Sequence, residues 1–145
     1  MIGLIQRVTQ AHVIIAEIEV ARIEAGILLL LGVEKEDTPA KAERLLERVL
    51  NYRIFSDAQG RMNHSLRDSG GQLLVVPQFT LAADTRKGNR PGFSGGADPA
   101  LGERLFNHFC DLVQHETGSL YCGRFGADMQ VGLSNDGPVT FWLNV

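Results

Sequence analysis

Residues 26–33 read GILLLLGV. The run is unbroken, apolar and bounded by Gly and charged residues. A strand with one wet face would alternate polar and apolar side chains, so this run is expected to be a strand buried on both faces. It is far short of the ~20 apolar residues that span a bilayer as a helix. Residues 72–76, QLLVV, read the same way. Upstream, residues 2–8 and 11–20 are rich in Ile and Val, and AHVIIAEIEVARI partly alternates. These two segments are expected to pair as a hairpin.

Downstream comes DTPAKAERLLERVLNYR. Asp37 or Thr38 can cap a helix whose first turn holds Pro39. Leu45, Leu46, Val49 and Leu50 then share a face. A second helix begins alike, with Asp98 as cap and Pro99 after it. Leu101, Leu105, Phe109, Leu112 and Val113 line its apolar side, and Gly118 can stop it. Tyr52–Phe55 can open a short strand before the turn SDAQG. Three strand-like pieces are expected near 120–124, 128–134 and 139–144. Strands and helices do not alternate regularly, so a Rossmann-type wound sheet is not expected. The expected fold is α+β: a mixed or antiparallel, barrel-like sheet body with two main packed helices, in a single domain over 1–145.

The chain has 145 residues and a net charge of −3, with 44% apolar and 21% charged residues. A domain of this length buries enough surface to fold without staples. The acidic balance argues against a general polyanion binder but leaves room for a local basic patch. The stretch MIGLIQRVTQ lacks the basic start, apolar core and small-residue cleavage site of a signal peptide. Cys110 and Cys122 form neither a disulfide framework nor a CxxC. The expectation is a cytoplasmic protein with reduced thiols and no membrane segment.

The common catalytic motifs are missing: no GxSxG, Walker A, HExxH or GxGxxG. His12, His64, His108 and His115 show no metal-ligand spacing with the cysteines, so no metal is expected. Cys110 falls on the apolar side of the second helix and reads as a buried, inert thiol. Three stretches stand apart. VVPQFTLAADT runs a buried strand into Pro77, Gln78, Phe79 and Thr80, which display polar groups and an aromatic ring at a strand end, or simply make a turn. Residues 84–97, DTRKGNRPGFSGGA, form a long polar loop of the kind that is functional or disordered. SNDGPVTFWLNV ends the chain with Gly137-Pro138, either a hairpin turn or something more specific, and X-Pro is the usual site of cis peptides.

PQFTL (77–81), KGNRPGF (87–93), NDGPVT (135–140) and the opening MIGLIQRVTQAHV together resemble the D-aminoacyl-tRNA deacylase family, in order and over essentially the whole chain. The resemblance implies hydrolysis of the ester that joins a D-amino acid, or glycine, to the 3′-terminal adenosine of tRNA. It implies a cofactor-free homodimer with active sites at the dimer interface. It implies that Gly137 and Pro138, joined by a cis bond, enter the partner's pocket and reject L-aminoacyl groups with their carbonyls. Arg7 matches the residue that holds this motif, and Met129 a pocket residue. Gln78, Phe79 and Thr80 match the catalytic motif. Backbone N–H groups near Phe79 and Thr80 are the candidate oxyanion donors. Thr80 either orients water or acts as nucleophile, although no base is obvious beside it. Arg86, Lys87 and Arg90 are candidate contacts for tRNA phosphates. The chain departs from the family at Pro77, where Ser is common; Pro offers neither a hydroxyl nor an N–H. No DNA-reading element is expected. Two other readings stay open: a non-catalytic module that binds tRNA ends, and a hydrolase of small D-amino acid esters.

Overall fold

The computed structural model describes all of residues 1–145. Strand β1 (Ile2–Ile15) is its spine. One edge of β1 pairs antiparallel with β8 (Gln130–Asn144), from Ile2↔Asn144 to Ile14↔Gln130. The other edge is shared. Its first half pairs with β3 (Gly26–Gly32) and its second half with β2 (Ile18–Ile23). β3 pairs in parallel with β6 (Gln72–Pro77), and β6 with the two-residue β7 (Tyr121–Cys122). β2 returns against β6 and β7, so the sheet curls into a nearly closed barrel. Helices α1 (Pro39–Asn51) and α3 (Pro99–Thr117) pack on its outside. Between α1 and β6 lie a small hairpin, β4 (Phe55–Ser56) with β5 (Met62–His64), and the short α2 (Leu66–Ser69). This α+β, barrel-like architecture with two main helices is the expected one.

The apolar run 26–33 divides by parity. Ile27, Leu29 and Leu31 of β3 face the helices, joined by Leu73 and Val75 of β6, Leu45 and Val49 of α1, and Leu105 and Phe109 of α3. Leu28 of β3 faces the barrel interior with Leu74 and Val76 of β6, Val8 and Val13 of β1, and Ile23 of β2. Successive side chains point to opposite faces of a strand, so a strand between two cores must be apolar throughout. Close approach at the start of β3 is also required: a Cβ on Gly26 would sit 1.9 Å from the Gln72 carbonyl oxygen.

Both ends of the chain differ from expectation. The segments 2–8 and 11–20 do not pair with each other as separate strands. β1 runs through Thr9 and Gln10, and the reversal comes at Ala16 and Glu17, both at positive φ (49° and 66°), as in a type I′ hairpin. The polar interruption hid the continuity, because Val8 on its far side still points into the barrel. The pieces at 128–134 and 139–144 are one strand, β8, broken by a wide bulge. Gln6 pairs with Thr140 and Val8 with Asn135, so residues 136–139 stand opposite Arg7 alone. Such bulges re-aim the chain without ending the strand.

The helix ends follow local chemistry. Thr38, not Asp37, caps α1, accepting from the Lys41 N–H, while Asp98 caps α3 and Gly118 ends it at φ 75°. Asp37 turns inward. Its carboxylate, with no side-chain exposure, takes the Met1 ammonium at 2.7 Å, the Glu34 N–H at 2.7 Å and Lys41 Nζ at 3.1 Å. The Met1 ammonium also holds Glu34 at 3.0 Å and the Val145 carbonyl at 2.9 Å, so losing Asp37 removes one charged hydrogen-bond partner rather than all of them. Asp37→Ala is expected to cost about 1.5–3 kcal/mol in urea denaturation, against about 1 kcal/mol for Thr38→Ala, which removes only a cap.

Candidate active site

β6 ends on a rung in which the Gln78 N–H donates to the Leu31 carbonyl at 2.8 Å. The chain then enters a 3₁₀ turn over Phe79–Ala82, closed by Leu81 N–H to Gln78 O and Ala83 N–H to Thr80 O. The first N–H groups of such a turn, those of Phe79 and Thr80, have no acceptor within it. The Gln78 side-chain amide donates to Thr80 Oγ1 and fixes the hydroxyl. Phe79 is 65% exposed, and its ring meets that of Phe93 with centroids 5.4 Å apart. A pair of aromatic faces open to solvent at a strand end is a stacking surface for a planar ligand.

Beside this turn lies a cavity of about 530 Å³. Pro77, Gln78, Phe79 and Met129 form its rim, and Leu31, Val33 and Val76 its floor. The start of α3 (Asp98, Pro99, Gly102, Phe106) and the loop Phe125–Asp128 close the far side. Thr80 stands just outside this lining. Met129 is locked in place: its sulfur accepts the Arg124 N–H at 3.4 Å and packs so close to Gly123 that a Cβ there would be 2.7 Å away.

The polar loop is folded back on itself by mutual hydrogen bonds between Asp84 and Gly92. This closure carries Phe93 to Phe79. It also gathers Arg86, Lys87 and Arg90 around a polar depression of about 410 Å³, with Asp84 among them. Arg86 grips Asp84 through Nε at 2.9 Å and Nη2 at 2.8 Å, and this holds the Asp84 carboxyl far below the usual range. The Arg86 charge is thus largely matched, while Lys87 and Arg90 make no ion pair.

The remaining candidates form a second cluster. The Gly137–Pro138 peptide is cis, at the tip of the β8 bulge. Asn135 clamps the base of the bulge: its Oδ1 accepts the Val139 N–H at 3.0 Å and its Nδ2 donates to Thr140 Oγ1 at 2.9 Å. Arg7, only 11% exposed, reaches into the bulge, where its charge pairs with Asp136 (Nε to Oδ2 2.9 Å) without hydrogen-bond alignment, and donates from Nη1 to the Ile54 carbonyl at 2.6 Å. A Cβ on Gly137, which sits at φ 119°, would meet Val139 Cγ2 at 2.8 Å and Arg7 Nη2 at 3.0 Å. This cluster is not near the cavity of its own chain. Arg7 pairs with Ile27, whereas the cavity begins at Leu31. Four residues of strand separate them, about 13 Å.

So the structure brings Gln78, Phe79 and Met129 together with Thr80 at their edge, gathers the three basic residues, and places Arg7, Gly137 and Pro138 apart. Sequence reasoning missed Phe93 as the partner of Phe79, although an aromatic ring in a polar loop was a signal. It also missed the wall made by α3, because Asp98 and Pro99 are fully explained as a helix start. Asn135 was read only as turn chemistry. No three His, Cys, Asp or Glu side chains cluster to hold a metal ion. No helix is long and apolar enough to cross a membrane.

Arg7 is a fork that ties two segments at once, which a lysine cannot reproduce. Arg7→Ala is expected to lower stability by about 2–3 kcal/mol, with faster amide exchange at residues 135–140. Arg7→Lys should recover less than half of the loss.

The chain as a whole is similar to known proteins. The profile of the family described as D-Tyr-tRNA(Tyr) deacylase fits residues 4–144. The chain is 59% identical to a D-aminoacyl-tRNA deacylase of Pseudoalteromonas atlantica and 57% identical to that of Salmonella typhimurium, each over 145 residues and the full length of both proteins. Among solved structures, one titled c-Myc DNA Unwinding Element Binding Protein superposes with a TM-score of 0.95 at 36% identity, covering 100% of this chain and 99% of that one. A structure described as a probable eukaryotic D-amino acid tRNA deacylase shares the fold, with a TM-score of 0.87 at 17% identity over 99% and 98% of the two chains. A profile that spans nearly every residue, together with relatives alike from end to end, leaves one conclusion: the chain belongs to the D-Tyr-tRNA(Tyr) deacylase family of hydrolases.

Proposed function

We propose that the chain, as one domain, hydrolyses the ester between a D-aminoacyl group, or glycine, and the 3′-terminal adenosine of tRNA, in the cytoplasm and as a homodimer. The observation that carries this reading is the end-to-end identity of 57–59% to D-aminoacyl-tRNA deacylases, joined to a cavity whose rim keeps Gln78 and Phe79.

The terminal adenine stacks in the region of Phe79 and Phe93, and the ester lies over the 3₁₀ turn. Water adds to the ester carbonyl carbon. The N–H groups of Phe79 and Thr80 receive the developing oxyanion, and the C–O bond to ribose breaks. The ribose oxygen takes up a proton, leaving tRNA and the free amino acid. Thr80 orients the water. Its neighbour is the Gln78 amide, which donates to the hydroxyl and cannot take its proton, so Thr80 lacks the base that an activated nucleophile needs. The ribose 2′-hydroxyl assists. Lys87 and Arg90 contact phosphates of the acceptor end.

Chirality is read by the carbonyls of Gly137 and Pro138, supplied by the partner subunit with Arg7 behind them. Two features favour a second subunit. The Gly-Pro bulge lies about 13 Å of strand away from its own cavity. β8 pairs only with β1 and leaves a fifteen-residue edge open, beside an exposed Trp142. Long unpaired edges with apolar side chains are prone to self-association.

The first test compares cleavage of D-Tyr-tRNA, L-Tyr-tRNA and Gly-tRNA by the purified protein. Rapid loss of the D- and glycyl esters with the L-ester spared is expected; equal loss of D- and L-esters would remove the carbonyl gate. Thr80→Ala is expected to lower kcat by less than ~10²-fold, because the backbone donors that carry most of the effect remain. Complete loss in a folded, tRNA-binding variant would make the hydroxyl the nucleophile.

A further inference from the structure

The cavity beside the 3₁₀ turn is lined by three polar side chains, Gln78, Asp98 and Asp128, and by no cationic one. Two of the three are engaged within the chain. The Gln78 amide donates to Thr80 Oγ1. Asp98 Oδ1 accepts the Leu101 N–H at 3.0 Å as the cap of α3. Asp128 has no such partner, and its carboxylate stands at the exposed lip of the cavity.

The wall that carries Asp128 is braced. Its turn is closed by the Ala127 N–H to the Arg124 carbonyl at 3.3 Å, and the Arg124 N–H binds Met129 Sδ at 3.4 Å. Phe125 of the same turn lies against α3. Its ring centroid is 6.2 Å from that of Phe106, and a Cβ on Gly102 would meet Phe125 Cζ at 3.1 Å. Asp128 adjoins Met129, which shares the rim with Pro77, Gln78 and Phe79.

This composition selects a ligand. A carboxylate with no cation beside it repels phosphate, and the cations gather instead around the separate depression of Arg86, Lys87 and Arg90. The apolar floor and the exposed Phe79 ring suit a flat, weakly polar group. An acceptor on the opposite wall calls for a hydrogen-bond donor at the edge of that group. Adenine carries an amino donor at position 6, where guanine and hypoxanthine carry a carbonyl acceptor.

We propose that Asp128 makes the site selective for an adenine base, accepting a hydrogen bond from its 6-amino group while the ring stacks on Phe79; this rests on the cavity being the deacylation site. A 6-carbonyl base turns an acceptor toward the carboxylate, so it is refused by repulsion as well as by a lost bond. The other donors of an aminoacyl-nucleoside, the α-ammonium and the ribose hydroxyl, are the same whatever the base. A readout that depends on the base therefore isolates the contact to the 6-position.

The test compares the 3′-D-tyrosyl esters of adenosine, inosine and purine riboside, which bear an amino group, a carbonyl and a hydrogen at position 6. Each is given to the full chain and to its Asp128→Asn and Asp128→Ala variants. We expect the wild type to cleave the adenosine ester with a kcat/KM ~10–100-fold above that of the inosine ester, with purine riboside between them. In Asp128→Asn the ratio should fall to about threefold or less, because an amide presents a donor as readily as an acceptor. Asp128→Ala should bring the adenosine and purine riboside esters level. Equal cleavage of the adenosine and inosine esters by the wild type would overturn the proposal. So would an equal loss on all three esters in Asp128→Asn, which would put the carboxylate on the α-ammonium or in a structural role. A wild type that cleaves neither these esters nor D-Tyr-tRNA would count against the deacylation reading instead. Calorimetric binding of adenosine and inosine then decides the base preference: tighter adenosine binding that is lost in Asp128→Asn supports it, and equal binding overturns it.

Discussion

Two strands, β3 and β6, are wedged between two apolar layers, and the rest of the molecule is arranged around that constraint. A strand that faces water on one side needs only one core. These two have a barrel interior behind them and a helix layer in front. Both layers must be filled for either strand to be stable, because each side chain pointing to an empty layer would leave apolar surface wet. α1 and α3 supply one layer and β1 and β2 the other. The parallel pairing of β3 with β6 follows, since the chain leaves the sheet through α1 and returns to it. The cavity then falls where both strands end together and α3 begins.

The second organising element is the bulge in β8. A regular antiparallel partner would have laid residues 136–139 flat along β1. Arg7 instead occupies the place of a rung and holds a short segment of backbone away from the barrel. A backbone element held by a guanidinium fork and an asparagine clamp keeps its shape without a packed side chain of its own. In the proposed reading, that suits a task in which many different side chains must be tolerated and one configuration refused. In the proposed homodimer it is this projecting segment that a second subunit would receive, since within one chain the bulge stays apart from the cavity.

Much of this was legible in the sequence. Helix caps at Thr38 and Asp98 and the stop at Gly118 are local chemistry, so they could be read from a few neighbouring residues. The uniform apolarity of 26–33 and 72–76 announced strands buried on both faces. What escaped depends on pairing at long range. Continuity of β1 through Thr9 and Gln10 is set by partners on β2, β3 and β8, none of which is near in sequence. The bulge in β8 is defined by register against Gln6 and Val8, which no pattern within β8 reveals. Asp37 offered itself as a helix cap because its distant partner, the Met1 ammonium, is invisible locally. Of the site, QFT and Gly-Pro were found through resemblance, whereas Phe93 and the wall formed by α3 came into view only with the loop closed and the helix docked.

Pro77 takes on a different meaning in this setting. Alternate N–H groups of β6 point toward β3 and toward β7. Gln78 donates to β3, and the Gly123 N–H meets the Val75 carbonyl on the opposite side. The nitrogen of Pro77 therefore faces the β7 side, beyond the point where that two-residue strand has stopped. A residue with an N–H there would have a donor for one more rung toward the chain after Cys122, which already lies against the ring. Proline offers nothing to pair with, so the sheet ends and the chain after it swings out to Phe125–Asp128. The mouth of the cavity is, in this sense, a place where the ladder has been denied its next step.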